Sequence, residues 1–187
     1  YQYLYKALRS ISEADASLAP QVLEFYRTAS QSDKNNASSL RSLYSYFPSI
    51  AEADASLVPQ VLEVCRTASQ SDKNDSDSLE YLHEELLSIA KTSPSLVPQI
   101  VLVRLESYEP SFNTLDNTFK KFQYLSSCLK YCRPEDIGSM TEGQKQLVQA
   151  AWNMRFSTEQ ERRFAFDNME IERIAATSFS AQQRCMN

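Results

Sequence analysis

Two glycines in 187 residues, Gly138 and Gly143, leave almost nothing for the tight hairpin turns a sheet requires, so strands are not expected. Neither glycine belongs to a repeated glycine pattern, which removes a phosphate-cradling loop and with it ATP or dinucleotide binding. No run of about 18 apolar residues can span a bilayer. The start, Tyr1, Gln2, Tyr3, Leu4, lacks the basic and apolar regions of a signal peptide, so a soluble, cytoplasmic chain is the base expectation. It begins on Tyr rather than Met, as a fragment or processed form would. Basic residues are in deficit, 19 against 24 acidic, for a net charge of −5, which disfavours a phosphate-tracking surface and nucleic acid as partner.

Reactive side chains are equally sparse. His83 is the sole histidine, and its neighbours at the repeat interval, Tyr44 and Phe122, are not titrating partners; Cys65 could serve as a nucleophile only if the fold brought His83 to it, its place on an apolar stripe points to core packing, and no catalytic residue is assigned. The four cysteines, Cys65, Cys128, Cys132 and Cys185, are too few and too irregular for a disulfide framework, and reduced thiols are expected. Cys128 and Cys132 are four apart on one helical face and could supply two thiolate ligands. Two more ligands are needed, and no spacing brings Cys185 or His83 to them. No metal and no cofactor is therefore expected. Acidic pairs such as Glu84 with Glu85 and Glu159 with Glu161 read as solvated helix faces.

What the chain does have is a repeat. With 42% hydrophobic residues it can bury roughly 70% of its unfolded surface as one domain or one array. The segment SISEADASLAPQ at Ser10–Gln21 returns as SIAEADASLVPQ at Ser49–Gln60 and as SIAKTSPSLVPQ at Ser88–Gln99, a period of 39. Between Ser10–Pro48 and Ser49–Leu87, 25 of 39 positions are identical, including the loop SQSDKN. Such identity reflects recent duplication and does not by itself mark the loop as a site.

Each unit reads as two helices. Leu79, Leu82, Leu86 and Ile89 form the apolar stripe of a first helix, with Asp77 and Glu80 in capping-box spacing at its start. Leu57, Val61, Leu62, Cys65 and Ala68 form that of a second, matched by Leu18, Val22, Leu23, Tyr26 and Ala29. Ser17, Ser56 and Ser95 are the expected N-caps of the second helices, which puts Pro20, Pro59 and Pro98 in the first turn, where no intrahelical bond is lost. Pro48 stands where the next copy has Leu87, so the first helix of the first full unit should break there.

These pairs cannot bury their stripes alone and must stack. Over about Tyr1 to Glu109 the period, the helix pairing and the SLVPQ segment resemble HEAT-like α-solenoids, although the period is shorter than the HEAT one and longer than the tetratricopeptide one. The resemblance implies a binding scaffold. The expected fold is all-α: a solenoid of helix-pair repeats over 1–109 (units near 10–48, 49–87 and 88–109 onward), followed by a C-terminal helical cap over 110–187. In that cap, Phe112, Leu115, Phe119, Phe122, Leu125 and Leu129 mark one helix and Leu147, Val148, Ala151 and Trp152 a second, opening near Thr141. A last helix runs through Phe164, Met169, Ile171 and Ile174, capped by Ser157 with Gln160.

One contrast inside the repeat bears on function. The second helices hardly change, whereas the first diverges from LRSLYSYF at Leu40–Phe47 to LEYLHEEL at Leu79–Leu86. Solenoids vary the face they present, so Tyr44, Tyr46, Tyr81 and His83 are expected to form a partner-facing ridge that recognises a protein or peptide without catalysis. An RNA-binding helical repeat and the non-catalytic region of a longer enzyme are the alternatives, and the sequence leaves the oligomeric state open.

Overall fold

The computed structural model describes residues 2–107 and 115–168, the side chains of Gln2, Leu115 and Asn117 excepted. Among these residues helix is the only regular structure, with no strand. The helices are α1 (Gln2–Ala14), α2 (Ala19–Ser30), α3 (Ala37–Tyr44), α4 (Phe47–Ala53), α5 (Val58–Ser69), α6 (Ser76–Thr92), α7 (Val97–Glu106), α8 (Leu115–Cys128), α9 (Glu142–Asn153) and α10 (Glu159–Asn168). Three 3-10 turns, Ala16–Leu18, Ala55–Leu57 and Pro94–Leu96, precede α2, α5 and α7 and recur at the interval of the sequence repeat. The span of α3 and α4 together, Ala37 to Ala53, returns one period on as α6.

Local chemistry explains these boundaries, and in places it corrects the sequence reading. The residues that cap the 3-10 turns are Asp15 and Asp54, whose carboxylates accept from Ser17 N at 3.0 Å and Ser56 N at 2.9 Å. Ser17 and Ser56 are therefore donors and not the expected caps. In the third copy Ser93 takes the capping position with no side-chain bond, and Ser95 lies inside the turn. Pro20 and Pro59 fall in the first turns of α2 and α5, where the missing N–H costs nothing. The capping box of α6 is Asp75 with Ser78, two residues upstream of the expected Asp77 and Glu80, and it copies Asn36 with Ser39 on α3.

Pro48 divides α3 from α4, while Leu87 sits inside the unbroken 17 residues of α6. Ser45 and Tyr46 make the turn, and Pro48 is placed in the first turn of α4, the one helical location that tolerates it.

The chain forms two compact units, the first holding α1–α6 and Ser107, the second α7–α10. In the first, α1 packs on α3 and α4, α2 on α5, and α3 and α4 on α6. Leu40, Leu43, Phe47, Ile50, Val61 and Leu82 fill its core together with Leu62 and Leu86, as their spacing predicts. In the second unit, α8 packs against α7, α9 and α10. Phe119, Phe122, Leu125 and Leu129 are buried, and Phe166 of α10 meets the rings of Phe119 and Phe122 at 5.4 and 5.8 Å. α9 opens at Thr141, as expected, and Thr141 forms a capping box with Gln144. The cap of α10 is Thr158 with Glu161, one residue beyond the expected pair. Phe164 on that helix is exposed; Phe112, Met169, Ile171 and Ile174 lie outside the described residues.

The division between the units differs from an array over 1–109 with a cap over 110–187, because α7 groups with α8. α7 buries Val97, Ile100, Val101, Val103 and Leu105 around most of its circumference, and a helix apolar on several sides needs neighbours on several sides.

Candidate functional site

The ridge expected from Tyr44, Tyr46, Tyr81 and His83 is not at the surface. Tyr44, Tyr46 and His83 are buried, and only Tyr81 is partly exposed, beside a half-buried Glu85. The Tyr44 hydroxyl lies 3.1 Å from Ala68 O and 2.8 Å from Asn74 Oδ1, sharing its one proton between them. Tyr46 packs with Tyr5 and stacks on Tyr26 at 6.0 Å between centroids. His83 Nε2 is 3.3 Å from Ser107 Oγ. Position 107 is one period beyond Ala68, and 83 one period beyond 44, so both copies make the same link with different chemistry.

The first helix therefore diverges inside the core, where different side chains fill the space around one recurrent contact, and this corrects the surface reading. α3 lies between α1 and α6, so its inward arc is wider than one stripe and takes in Tyr44.

The shared SQSDKN loop has a structural reason as well as common descent. Asn35 Nδ2 donates to Ala29 O at 2.7 Å and Asn74 Nδ2 to Ala68 O at 2.8 Å, closing the C-terminal ends of α2 and α5. Their Oδ1 atoms accept from Ser39 and Ser78 at the start of the next helix. A buried asparagine that satisfies both helix ends leaves little room for another residue.

The surface of the first helix pair is a different matter. Leu4 and Ile11 on α1 are each 43% exposed, Leu18 is 37% and Phe25 on α2 is 36%. Tyr3 projects almost fully into solvent. One period on, the same positions are Leu43, Ile50, Leu57 and Val64, at 0%, 1%, 5% and 2%. Nearly identical residues are therefore buried in one copy and open in the other.

Compared with family models, with curated proteins and with solved structures, the chain matches none.

The second unit departs from the apolar pattern at two positions. Lys121 stands where preceding copies have Leu43 and Leu82, and Arg104 where they have Tyr26 and Cys65, yet both cations are buried. The Arg104 guanidinium lies over the Tyr124 ring at 5.5 Å. Burial, with Arg104 adding like charge, holds the Lys121 ammonium well below the usual lysine range. Sequence reasoning missed these residues because the likeness between copies fades before Arg104; counting on by one period finds them.

Burial also pushes every described thiol up: Cys65 well above its ordinary value, Cys128 to about 12 and Cys132 to about 11. A thiol so shifted is a poor nucleophile and a poor metal ligand at neutral pH. Cys185 lies outside the described residues. Among the described residues no group of three His, Cys, Asp or Glu could hold a metal ion. An open cleft of about 630 Å³ beside α9 is lined by Pro134, Ile137, Met140, Lys145 and Gln149 among others, with no His, Cys or Ser in its wall. Among the described residues, exposed apolar side chains lie on α1, the following 3-10 turn and α2, and in the second unit at Tyr131, Phe156 and Phe164.

No described helix is long and apolar enough to cross a membrane.

Proposed function

We propose that this protein is a non-enzymatic interaction scaffold, an α-solenoid of the HEAT-like kind that recognises a polypeptide. The observation that carries this reading is the open face of Leu4, Ile11, Leu18 and Phe25. Full burial of such side chains contributes roughly 1.5–3 kcal/mol each, so covering the two-fifths left open contributes about 1 kcal/mol apiece. Recognition thus moves from the tyrosine ridge to the outer surface of the first pair.

The acidic balance favours a polypeptide over RNA. The test is capture from extract by the immobilised chain, compared with a variant carrying Leu4→Asp and Ile11→Asp and checked for unchanged helix content by circular dichroism. Polypeptides held by the native chain should be lost from the variant. Equal capture by both, or recovery of RNA in place of protein, would defeat the proposal.

A further inference from the structure

The repeat itself says what fits the open face. Inside the first unit, α1 and α2 lie on α4 and α5, and α3 and α4 lie in turn on α6, so each first helix is covered by the pair before it. Leu43 and Ile50, and after them Leu82 and Ile89, are buried at the positions that Leu4 and Ile11 leave open. Between the first and second copies the apolar character of these positions hardly changes; Leu4, Ile11 and Leu18 have the same residue one period on, and Phe25 is replaced by Val64. Leu43 and Ile50 stand on α3 and α4, which pack beneath α1.

We infer that the open face receives a helix pair of this same repeat type, docked in line ahead of α1 and α2 as those two are docked ahead of α4 and α5. The contact is apolar and aromatic. The incoming pair supplies the inner side that α1 and α2 turn toward the next copy, where Tyr5 and Tyr26 meet edge to face at 5.6 Å and Tyr46 packs against both. The Tyr26 hydroxyl donates to Tyr5 O at 3.1 Å, so that polar group is satisfied within the pair and asks nothing of the surface it meets. The four open positions carry no charge to recruit a polar or phosphorylated segment, and their counterparts one period on, Leu43, Ile50, Leu57 and Val64, are the ones buried in the first unit.

This inference rests on the proposed polypeptide recognition and names its partner class. The probe is a fluorescein-labelled synthetic peptide of residues 2–31, which carries one helix pair, titrated with the full chain and followed by anisotropy. Saturable binding is expected, weakened at least tenfold by Leu4→Asp with Ile11→Asp in the chain and by Tyr5→Ala with Tyr26→Ala in the peptide. A lengthened chain removes dependence on the peptide folding alone: residues 1–39 duplicated ahead of Tyr1 preserve the register. That extended chain should unfold in a single transition with a raised Tm. Two separate transitions, or an unchanged Tm, would overturn the inference. Sedimentation velocity of the native chain without peptide gives the remaining outcome, since self-association abolished by Leu4→Asp would assign the face to a second copy and overturn the in-line pair. Failure of peptide and extended chain alike, with capture from extract still dependent on Leu4 and Ile11, would sink this inference and leave polypeptide recognition standing.

Discussion

The first and second full copies, Ser10–Pro48 and Ser49–Leu87, are identical at 25 of 39 positions and yet differ in two structural respects. The first helix of one is cut at Pro48 into α3 and α4, while that of the other runs unbroken as α6. The leading surface of the second, at Ile50, Leu57 and Val64, is buried, while that of the first, at Ile11, Leu18 and Phe25, is open. A single proline explains the first difference. Residue type does not explain the second: Ile50, Leu57 and Val64 lie where α1 and α2 pack on α4 and α5, and their counterparts face away from those contacts. Like residues at equivalent positions therefore carry two energetic roles, and the packing around each helix assigns them.

The comparison can be broken first at the positions where both copies are core. Leu62→Ala and its counterpart Leu23→Ala should each cost about 2–5 kcal/mol in urea unfolding, since both side chains are buried and leave a cavity. A loss below about 1 kcal/mol at either would mean the helix pairing is wrong. The proline contrast is next: Leu87→Pro should destabilise by about 3 kcal/mol by placing proline inside α6, whereas Pro48→Leu should change stability by less than about 1 kcal/mol and raise the helical circular dichroism signal. Equal effects from the two exchanges would remove the explanation of the break.

Smaller is the loss expected of the link from the first helix to position 68. Tyr44→Phe leaves Ala68 O and Asn74 Oδ1 without the hydroxyl and should cost about 1 kcal/mol, with the helix content retained. No measurable change would mean that the bond contributes nothing.

Smaller still, spread over several groups, is the response to alkali. Burial raises the pKa of Cys65, Cys128, Cys132, Tyr26, Tyr44 and Tyr81 above their unfolded values. Their unfolded forms ionise first, so stability is whole below the unfolded thiol value of about 8.5 and declines as pH rises past it and past about 10 for tyrosine. Lys121 works in the opposite direction, its burial penalty easing as pH climbs toward the unfolded lysine value of about 10.4. Three thiols and three tyrosines against one lysine predict a urea midpoint that falls between about pH 8.5 and 10.5. A constant or rising midpoint would contradict this.

Much of the fold was legible because helical periodicity and a fixed repeat interval are written directly in side-chain types. Leu62 and Leu86 are core, α9 opens at Thr141, and the helix breaks at Pro48, each for a local reason visible in the sequence. The Ser17 and Asp77 caps were misplaced by two residues because competing Asp and Ser donors and acceptors stand side by side, and only backbone geometry chooses between them. The tyrosine ridge failed for a tertiary reason: the number of neighbours around α3 decides how wide its buried arc is, and one helix's residues do not encode it. The open face was illegible for the same reason in reverse, since Leu4 and Leu43 are the same residue in the same register.

Alanine at those two leucines tests the account most directly. Measured side by side in urea, Leu43→Ala should cost about 2–5 kcal/mol and Leu4→Ala less than about 1 kcal/mol, because only the first empties a covered site. Equal losses at Leu4 and Leu43 would show that the first helix pair is already covered in the folded chain, and would contradict a face held open for a partner.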